Sequence, residues 1–304
     1  MVSAGAVSSV ARRVFDLDEI RRTAITAVFS DSVLAELVVL KGGNALGLVY
    51  RVSTRTSIDL DFSISGDFEN PDDAKVRLFA ALRDRFDARG YVVIDLRFQK
   101  RPQLRGTDEK PWWGGYELSF KLVERDVYTE LLRHPGHDKV RIHSIPVGAR
   151  ESRSFKIDFS KYEYTGAKIV RELEDYTVYV YSPAMIVVEK LRAICQQMDG
   201  YPHRGARRAR ARDFYDIHQV LTNFGFDLAA DENLTLAREI FAAKRVPLRF
   251  LGTLPDVREF HRPDWVAVVE TTTGALENFD FYFDFVVAAA GKLKALWVEE
   301  PPLG

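Results

Sequence analysis

With 304 residues, 46% hydrophobic and 29% charged, the chain has the composition of a soluble globular protein and enough apolar material for one large or two modest domains. A formal net charge of −1 excludes nucleic-acid affinity through overall basicity, so any such affinity must come from local clusters, and the single cysteine, Cys195, excludes an internal disulfide. No apolar run approaches a membrane span, because Asp284 interrupts even Phe281 to Ala290, and Arg12-Arg13 follow small residues in the reverse of a secretory signal, so a cytoplasmic location is expected.

Asp16 or Asp18 caps a predicted helix running to about Phe29, with Ile20, Ala24, Ile25 and Phe29 on one face. Leu34 to Leu40 reads as a helix end and a short strand leading into Lys41-Gly42-Gly43-Asn44. Paired glycines let backbone approach a ligand closely, and amides at the start of a following helix, here Asn44 to Tyr50, can bind phosphate oxygens. Further on, Ser57, Asp59, Asp61 and Ser63 alternate with Ile58, Leu60, Phe62 and Ile64, the period of a half-buried strand. Asp59 and Asp61 then project from one face, with α-carbons roughly 6–7 Å apart. Carboxylates so placed can share hard cations, and two such ions roughly 4 Å apart suit in-line phosphoryl or nucleotidyl displacement. Each half alone is weak, since a glycine pair is often a turn and D-x-D often a solvated face. Together, in this order and about fifteen residues apart, they favour a metal-dependent phosphate site.

Asn70-Pro71 starts another predicted helix, with Val76, Phe79, Ala80, Leu82 and Phe86 at helical spacing and Gly90 as its end. Tyr91 to Phe98 alternates, which predicts a strand burying Val92, Ile94, Leu96 and Phe98. The loop Lys100 to Gly115 ends in Trp112-Trp113, which either stack on a base or, the commoner role for aromatics, pack against the sheet. Tyr116 to Val123 is a strand. His134, His137 and His143 lack the spacing of a structural zinc site and read as loop residues. Phe155 to Ser160 alternates again, with Phe155, Ile157 and Phe159 inward and Lys156 and Asp158 outward. After Thr177 to Tyr181, Ser182-Pro183 is an N-cap followed by proline at the first helical position. That helix runs to about Met198 with Lys190 beside its apolar stripe, where a lysine either snorkels or needs a partner.

Arg204, Arg207, Arg208, Arg210 and Arg212 crowd the start of the next helix, opposing its dipole. They read either as a solvated loop or as contacts to the phosphates of a nucleotide or of RNA, with Arg204, Arg207, Arg208 and Arg210 the RNA candidates. Asp213 and Asp216 share one face of that helix. Helices are expected over Asn233 to Lys244 and Leu276 to Val298, while Leu248 to Thr272 is ambiguous.

KGGNAL, followed by Arg55-Thr56-Ser57-Ile58-Asp59-Leu60-Asp61-Phe62, resembles the signature of the AbiEii/AbiGii-type nucleotidyltransferase toxins, a branch of the DNA polymerase β-like superfamily. Many superfamily members carry Gly-Ser where this chain has Gly42-Gly43, and Asn44 stands where the toxin branch more often has a small residue or Thr. The resemblance implies an α/β (α+β) fold: a nucleotidyltransferase domain with a mixed sheet over residues 1–165, then a mainly helical domain over 166–304 closing the nucleotide cleft. It implies that Asp59 and Asp61 hold two Mg2+ ions. A third carboxylate on a neighbouring strand would join them; Asp158 is the candidate, an ordinary surface strand the alternative, and Asp95 and Glu117 are weaker competitors. It implies an NTP substrate held by Lys41, Gly42, Gly43, Asn44, Ser57 and Lys190, the lysine of an S-P-x-x-x-x-x-E-K pattern, and an active-site Asp213 from an Arg-Asp-x-x-Asp element. The expected activity is transfer of a nucleoside monophosphate to an acceptor such as the tRNA 3′ end, with a cognate antitoxin protein. Two other readings are a nucleotidyltransferase acting on a small-molecule hydroxyl and a non-catalytic binding module retaining the fold. The arginine cluster speaks against the first, and the retained Gly42, Gly43, Asp59, Asp61 and Lys190 against the second.

Overall fold

The computed structural model describes residues 16–102, 110, 112–133, 137–147, 152–203 and 206–298. Helix α1 (Leu17–Ser30) begins where the Asp16 carboxylate accepts from the Asp18 amide, and it buries Ile20, Ala24, Ile25 and Val28. Helix α2 (Ser32–Leu37) leads into β1 (Val38–Lys41), followed by the short helix α3 (Gly42–Asn44) and a π-helical turn, Ala45–Val49. Strand β2 (Leu60–Ile64) carries Asp61, while Asp59 lies in the bend just before it. The alternation therefore holds, over a shorter strand than the sequence suggests, and Ser63 is buried rather than solvated because its hydroxyl bonds that of Tyr181 at 2.7 Å.

Helix α4 (Pro71–Ala88) is capped by the Asn70 side chain, which accepts from the amides of Asp72 and Asp73. Its buried row is Ala74, Leu78, Leu82 and Phe86, four residues apart, whereas Val76 is 65% exposed and Ala80 faces solvent. The helix lays one narrow i, i+4 ridge on its neighbours, narrower than the face expected. In β3 (Tyr91–Arg101) the pairing with β4 (Gly115–Glu124) slips between Ile94 and Arg97, where Asp95 has φ 54°. An extra residue in one strand flips the following side chains to the other face. So Tyr91 and Val93 point inward before the bulge and Leu96 and Phe98 after it, and Val92 and Ile94, expected in the core, do not join it.

Helix α5 (Arg125–Arg133) and a 310 turn, His137–His143, precede β5 (Phe155–Ser160); His134 lies outside the described residues. A hairpin of β6 (Lys168–Leu173) and β7 (Tyr176–Tyr181) completes a seven-stranded mixed sheet of order β3-β4-β5-β2-β1-β7-β6. Strand β7 pairs in parallel with β1, so the sheet extends past the boundary expected at 165 and ends at Tyr181. Phe29 of α1 meets Phe62 at 6.0 Å and Phe62 stacks on Phe159 at 5.4 Å, so α1 covers the sheet face opposite to the one bearing Asp61 and Asp158.

The helical part begins with α6 (Pro183–Cys195), whose Ser182 N-cap accepts from the Met185 amide. It continues through α7 (Ala211–Phe224) and α8 (Asp231–Ala243). Leu248–Val257 winds as 310 turns into α9 (Arg258–His261), and α10 (Trp265–Thr271) follows. The long terminal helix expected from Leu276 to Val298 is two pieces, α11 (Phe279–Gly291) and α12 (Ala295–Val298). Phe283 of α11 stacks on Phe214 of α7 at 5.1 Å, which anchors the terminal helices behind the site. No helix among the described residues is long and apolar enough to cross a membrane.

Candidate active site

Strand register builds the sheet side of the site. Lys41 on β1 is opposite Asp61 on β2, Asp61 opposite Asp158 on β5, and Asp158 opposite Glu117 on β4. Directly paired residues share a face, with neighbouring strands about 4.8 Å apart. One cation and three carboxylates therefore form a row across four strands, with Asp59 two residues ahead of Asp61 on the same side. The row ends at Glu117, which is neutralised by Arg101 at 2.9 Å and Lys156 at 3.4 Å. Asp95, the other competitor for the third carboxylate, pairs with Lys121 at 3.0 Å and Arg141 at 2.9 Å, outside the cleft lining.

The cleft above the row has a volume of about 310 Å3. Of the residues singled out in the sequence, Lys41, Gly42, Gly43, Ser57, Asp59, Asp61, Asp158, Lys190, Arg208, Arg210, Arg212 and Asp213 line it. The two glycines are required by crowding. Gly42 has φ 73°, and a Cβ there would lie 2.7 Å from the Asp61 Oδ2; at Gly43 it would lie 2.8 Å from the Ser57 Cβ. Backbone thus reaches the carboxylates where a side chain would fill the space.

Asn44, expected to touch the nucleotide, does not line the cleft. It is buried, its Oδ1 accepting from Arg21 at 3.2 Å and its Nδ2 donating to the Asp59 carbonyl at 2.7 Å. Arg21 also donates to the Ser57 carbonyl, so α1 and Asn44 together hold the segment that carries Ser57 and Asp59. The farther end of that segment is held by the Thr56 amide, which donates to the Thr271 carbonyl at 2.9 Å.

Opposite the carboxylates stands a basic wall from α6 and α7. Lys190 is buried and donates to Asp213 Oδ1 at 2.9 Å and Asp216 Oδ2 at 2.8 Å. Asp216 also accepts from Arg55 Nε and Nη2, at 3.3 and 3.0 Å, and Asp213 pairs with Arg210. Lys190 is therefore neither snorkelling nor a free phosphate ligand. Three cations against two carboxylates leave one positive charge beside the cleft. Burial disfavours both charged forms, yet Arg210 and Lys190 hold Asp213 well below the usual carboxylate range, and Lys190 and Arg55 do the same for Asp216. The start of α7 lacks a side-chain cap of its own; the Ala211 amide donates to Asp264 and the Arg210 amide to His261 Nδ1, both at 3.0 Å. Those acceptors, with Asp213 in the first turn, offset the arginines gathered at the positive end of the helix.

The arginine cluster is not one surface. Arg208 and Arg212 are exposed and line the cleft, and Arg210 is committed to Asp213. Arg207 leaves the cleft, pairing with Asp199 at 2.9 Å and lying 3.9 Å from the Phe260 ring. Arg204 lies outside the described residues.

Arg55, Ser160 and Glu189 also line the cleft, although sequence reasoning gave none of them a role. The signal for Arg55 and Glu189 was adjacency, since each sits inside a motif already noticed. Below the floor, buried Glu163 faces Lys41 at 3.6 Å, Lys244 at 3.4 Å and Arg192 at 3.7 Å. Burial raises its pKa, but the three cations outweigh that and bring it down to about 2. This unanticipated hub keeps Lys41 charged and ties β1 to α6 and to the end of α8.

Asp61 and Asp158 behave in the opposite way. Burial, followed for Asp158 by Glu117 and Asp59, and for Asp61 by Asp158, Glu189 and Asp59, pushes each carboxyl up to about 6, against partial relief from Lys41 and, for Asp158, Lys156. An all-oxygen donor set whose charges repel one another fits a hard divalent cation, which would relieve that repulsion. Among the described residues no three His, Cys, Asp or Glu side chains stand together as a ready-made cation cage, so an ion at Asp59, Asp61 or Asp158 would also need oxygens from substrate or water.

The family model described as "Nucleotidyl transferase AbiEii toxin, Type IV TA system" matches residues 23–285. No curated protein matches the chain. Among solved structures, the crystal structure of an antigenic nucleotidyltransferase-like protein from Paracoccidioides brasiliensis is similar, with 14% identity over 85% of this chain and 94% of that one and a TM-score of 0.36.

Proposed function

The chain belongs to the AbiEii nucleotidyltransferase toxin family, and from that premise we propose that it transfers a nucleoside monophosphate from an NTP to an RNA acceptor, such as the 3′ end of tRNA, in a magnesium-dependent reaction. The observation that carries this reading is the two-sided cleft, with carboxylates on the sheet wall and arginines on the α7 wall. The carboxylate wall would repel a triphosphate unless cations lay between them, and the basic wall meets only one side of it. Magnesium held by Asp59, Asp61 and Asp158, together with oxygens of substrate or water, would supply charge neutralisation and Lewis-acid polarisation at the phosphates.

The chain's own residues do the rest. The close-approaching backbone of Gly42 and Gly43 receives the triphosphate, with Lys41 charged beneath it and Ser57 alongside. Asp158 orients the acceptor hydroxyl and takes up its proton as the oxygen bonds to the α-phosphorus. The bond from that phosphorus to the bridging oxygen breaks, and pyrophosphate leaves towards the net positive charge shared by Arg55, Lys190 and Arg210. The toxin–antitoxin character of the family implies a cognate antitoxin protein as a further partner.

Acceptor binding falls to Arg208 and Arg212, the exposed arginines of the cleft mouth. Removing one arginine that binds a phosphate flattens the logarithmic salt dependence by about one unit. The double substitution Arg208→Gln and Arg212→Gln should therefore lower RNA affinity and reduce the salt slope by about two. Arg207→Gln should leave the slope unchanged, because that side chain is already engaged by Asp199. Equal slopes in the wild type and the double variant, measured by anisotropy against labelled tRNA, would remove RNA from the proposed acceptor role.

A further inference from the structure

Outside the cleft, the most concentrated unexplained chemistry is an aromatic and cationic cluster at the start of β4. Neither Trp112 nor Trp113 belongs to the hydrophobic core or packs against it, which leaves base stacking as the other expected role. The Trp112 ring instead meets the His203 ring edge-on at 4.8 Å and the guanidinium of Arg245 at 4.8 Å. The Lys110 ammonium lies 6.0 Å from the Trp112 ring and 5.6 Å from that of Trp113, and donates to the His203 carbonyl at 3.0 Å. Trp113 is 37% exposed and Arg245 is exposed.

Two links place the cluster beside the cleft. Gly115, two residues after Trp113, pairs with Ser160, which lines the cleft. His203 lies in the segment that leads to Arg208, Ala209 and Arg210, which also line it. Strand pairing therefore puts the cluster next to the β5 end of the cleft.

We propose that Trp112 and Trp113, with Lys110 and Arg245, form a stacking platform for unpaired bases of the nucleic-acid acceptor as its end enters the cleft. The exposed Trp113 indole beside Lys110, with Arg245 against the neighbouring Trp112, is the combination that single-stranded nucleic acid requires: a π-face for the base and positive charge for the phosphates. In a double helix every base face except those of the terminal pairs is covered by a stacked neighbour, and the terminal pair is held rigidly, so the platform favours a single-stranded end over a blunt one. This inference rests on the reading of the acceptor as RNA and adds that the acceptor arrives unpaired.

The test uses the full chain and two labelled probes, a short unstructured single-stranded RNA and a blunt duplex of the same length. The single strand should quench tryptophan fluorescence. Trp113→Ala should weaken its binding by about ten-fold, Trp113→Phe should restore most of the loss, and Lys110→Gln should flatten the salt slope by about one unit. Duplex binding should be weaker and much less sensitive to Trp113→Ala. If folded Trp113→Ala, verified by its melting curve, binds the single strand like the wild type, or if the duplex binds as tightly, the platform is wrong. Continued wild-type labelling of RNA would then show that the acceptor reading stands without it. If the wild type neither binds nor labels any RNA, the acceptor reading falls and the platform with it.

Discussion

Asp61→Asn is expected to suppress nucleotidyl transfer by about 10²- to 10³-fold, the loss typical of an electrostatic group at a transition state, while leaving the fold more stable than the wild type in metal-free buffer. The two effects have one cause. Burial, with repulsion from Asp158, Glu189 and Asp59, raises the Asp61 carboxyl from 3.8 to about 6 in the folded protein. Between those values the native state holds more protons than the unfolded state, so stability falls as pH rises from about 4 to about 6 and stays low above. A neutral isostere removes that cost, by no more than about 3 kcal/mol at pH 7 and less after solvent screening. In chelator, then, the variant should melt higher at pH 7 and lose the wild type's decline between pH 4 and 6. Magnesium should raise the melting temperature of the wild type much more than that of the variant. An active variant, or one that melts lower in chelator, would mean that Asp61 is a structural carboxylate.

Lys190→Ala should do the reverse and damage the fold first. Lys190 lies between Asp213 and Asp216, and Asp216 is fully buried. Removing one partner of a buried ionic network costs about 3–5 kcal/mol, because the remaining charges stay desolvated. For a protein of 304 residues that corresponds to a fall in melting temperature of roughly 5–8 °C. Adding Asp216→Asn to Lys190→Ala should recover part of the loss, since the two side chains share one interaction. A Lys190→Ala protein that melts within a degree or two of the wild type but has lost NTP affinity would instead make Lys190 a phosphate ligand held only loosely by its carboxylates.

What was legible in the sequence was local. The glycine pair, D-x-D and the alternation around Asp158 each occupy a few residues, and strand period together with register brings them into one row without further information. What escaped depends on partners far along the chain. Arg55 reaches Asp216 across 161 residues, and Glu163 gathers Lys41, Arg192 and Lys244 from three separate elements. Neither pairing has a period or a spacing. Asn44 and Arg207 lie outside the cleft lining for a related reason. A polar residue within a motif looks like a ligand until the structure shows Arg21 and the Asp59 carbonyl, or Asp199 and Phe260, already occupying it. The bulge at Asp95 defeats alternation in the same way, because one inserted residue reverses the face of everything after it.

The most direct measurement is incubation of the protein with each of the four α-phosphate-labelled NTPs, magnesium and total RNA, followed by separation of RNA from small molecules. The expected result is label covalently joined to RNA from at least one NTP, with pyrophosphate released in equal amount and no labelling by Asp59→Asn. Label appearing only in a small-molecule product, or RNA labelled equally by Asp59→Asn, would contradict the assignment of this cleft as an RNA nucleotidyltransferase centre.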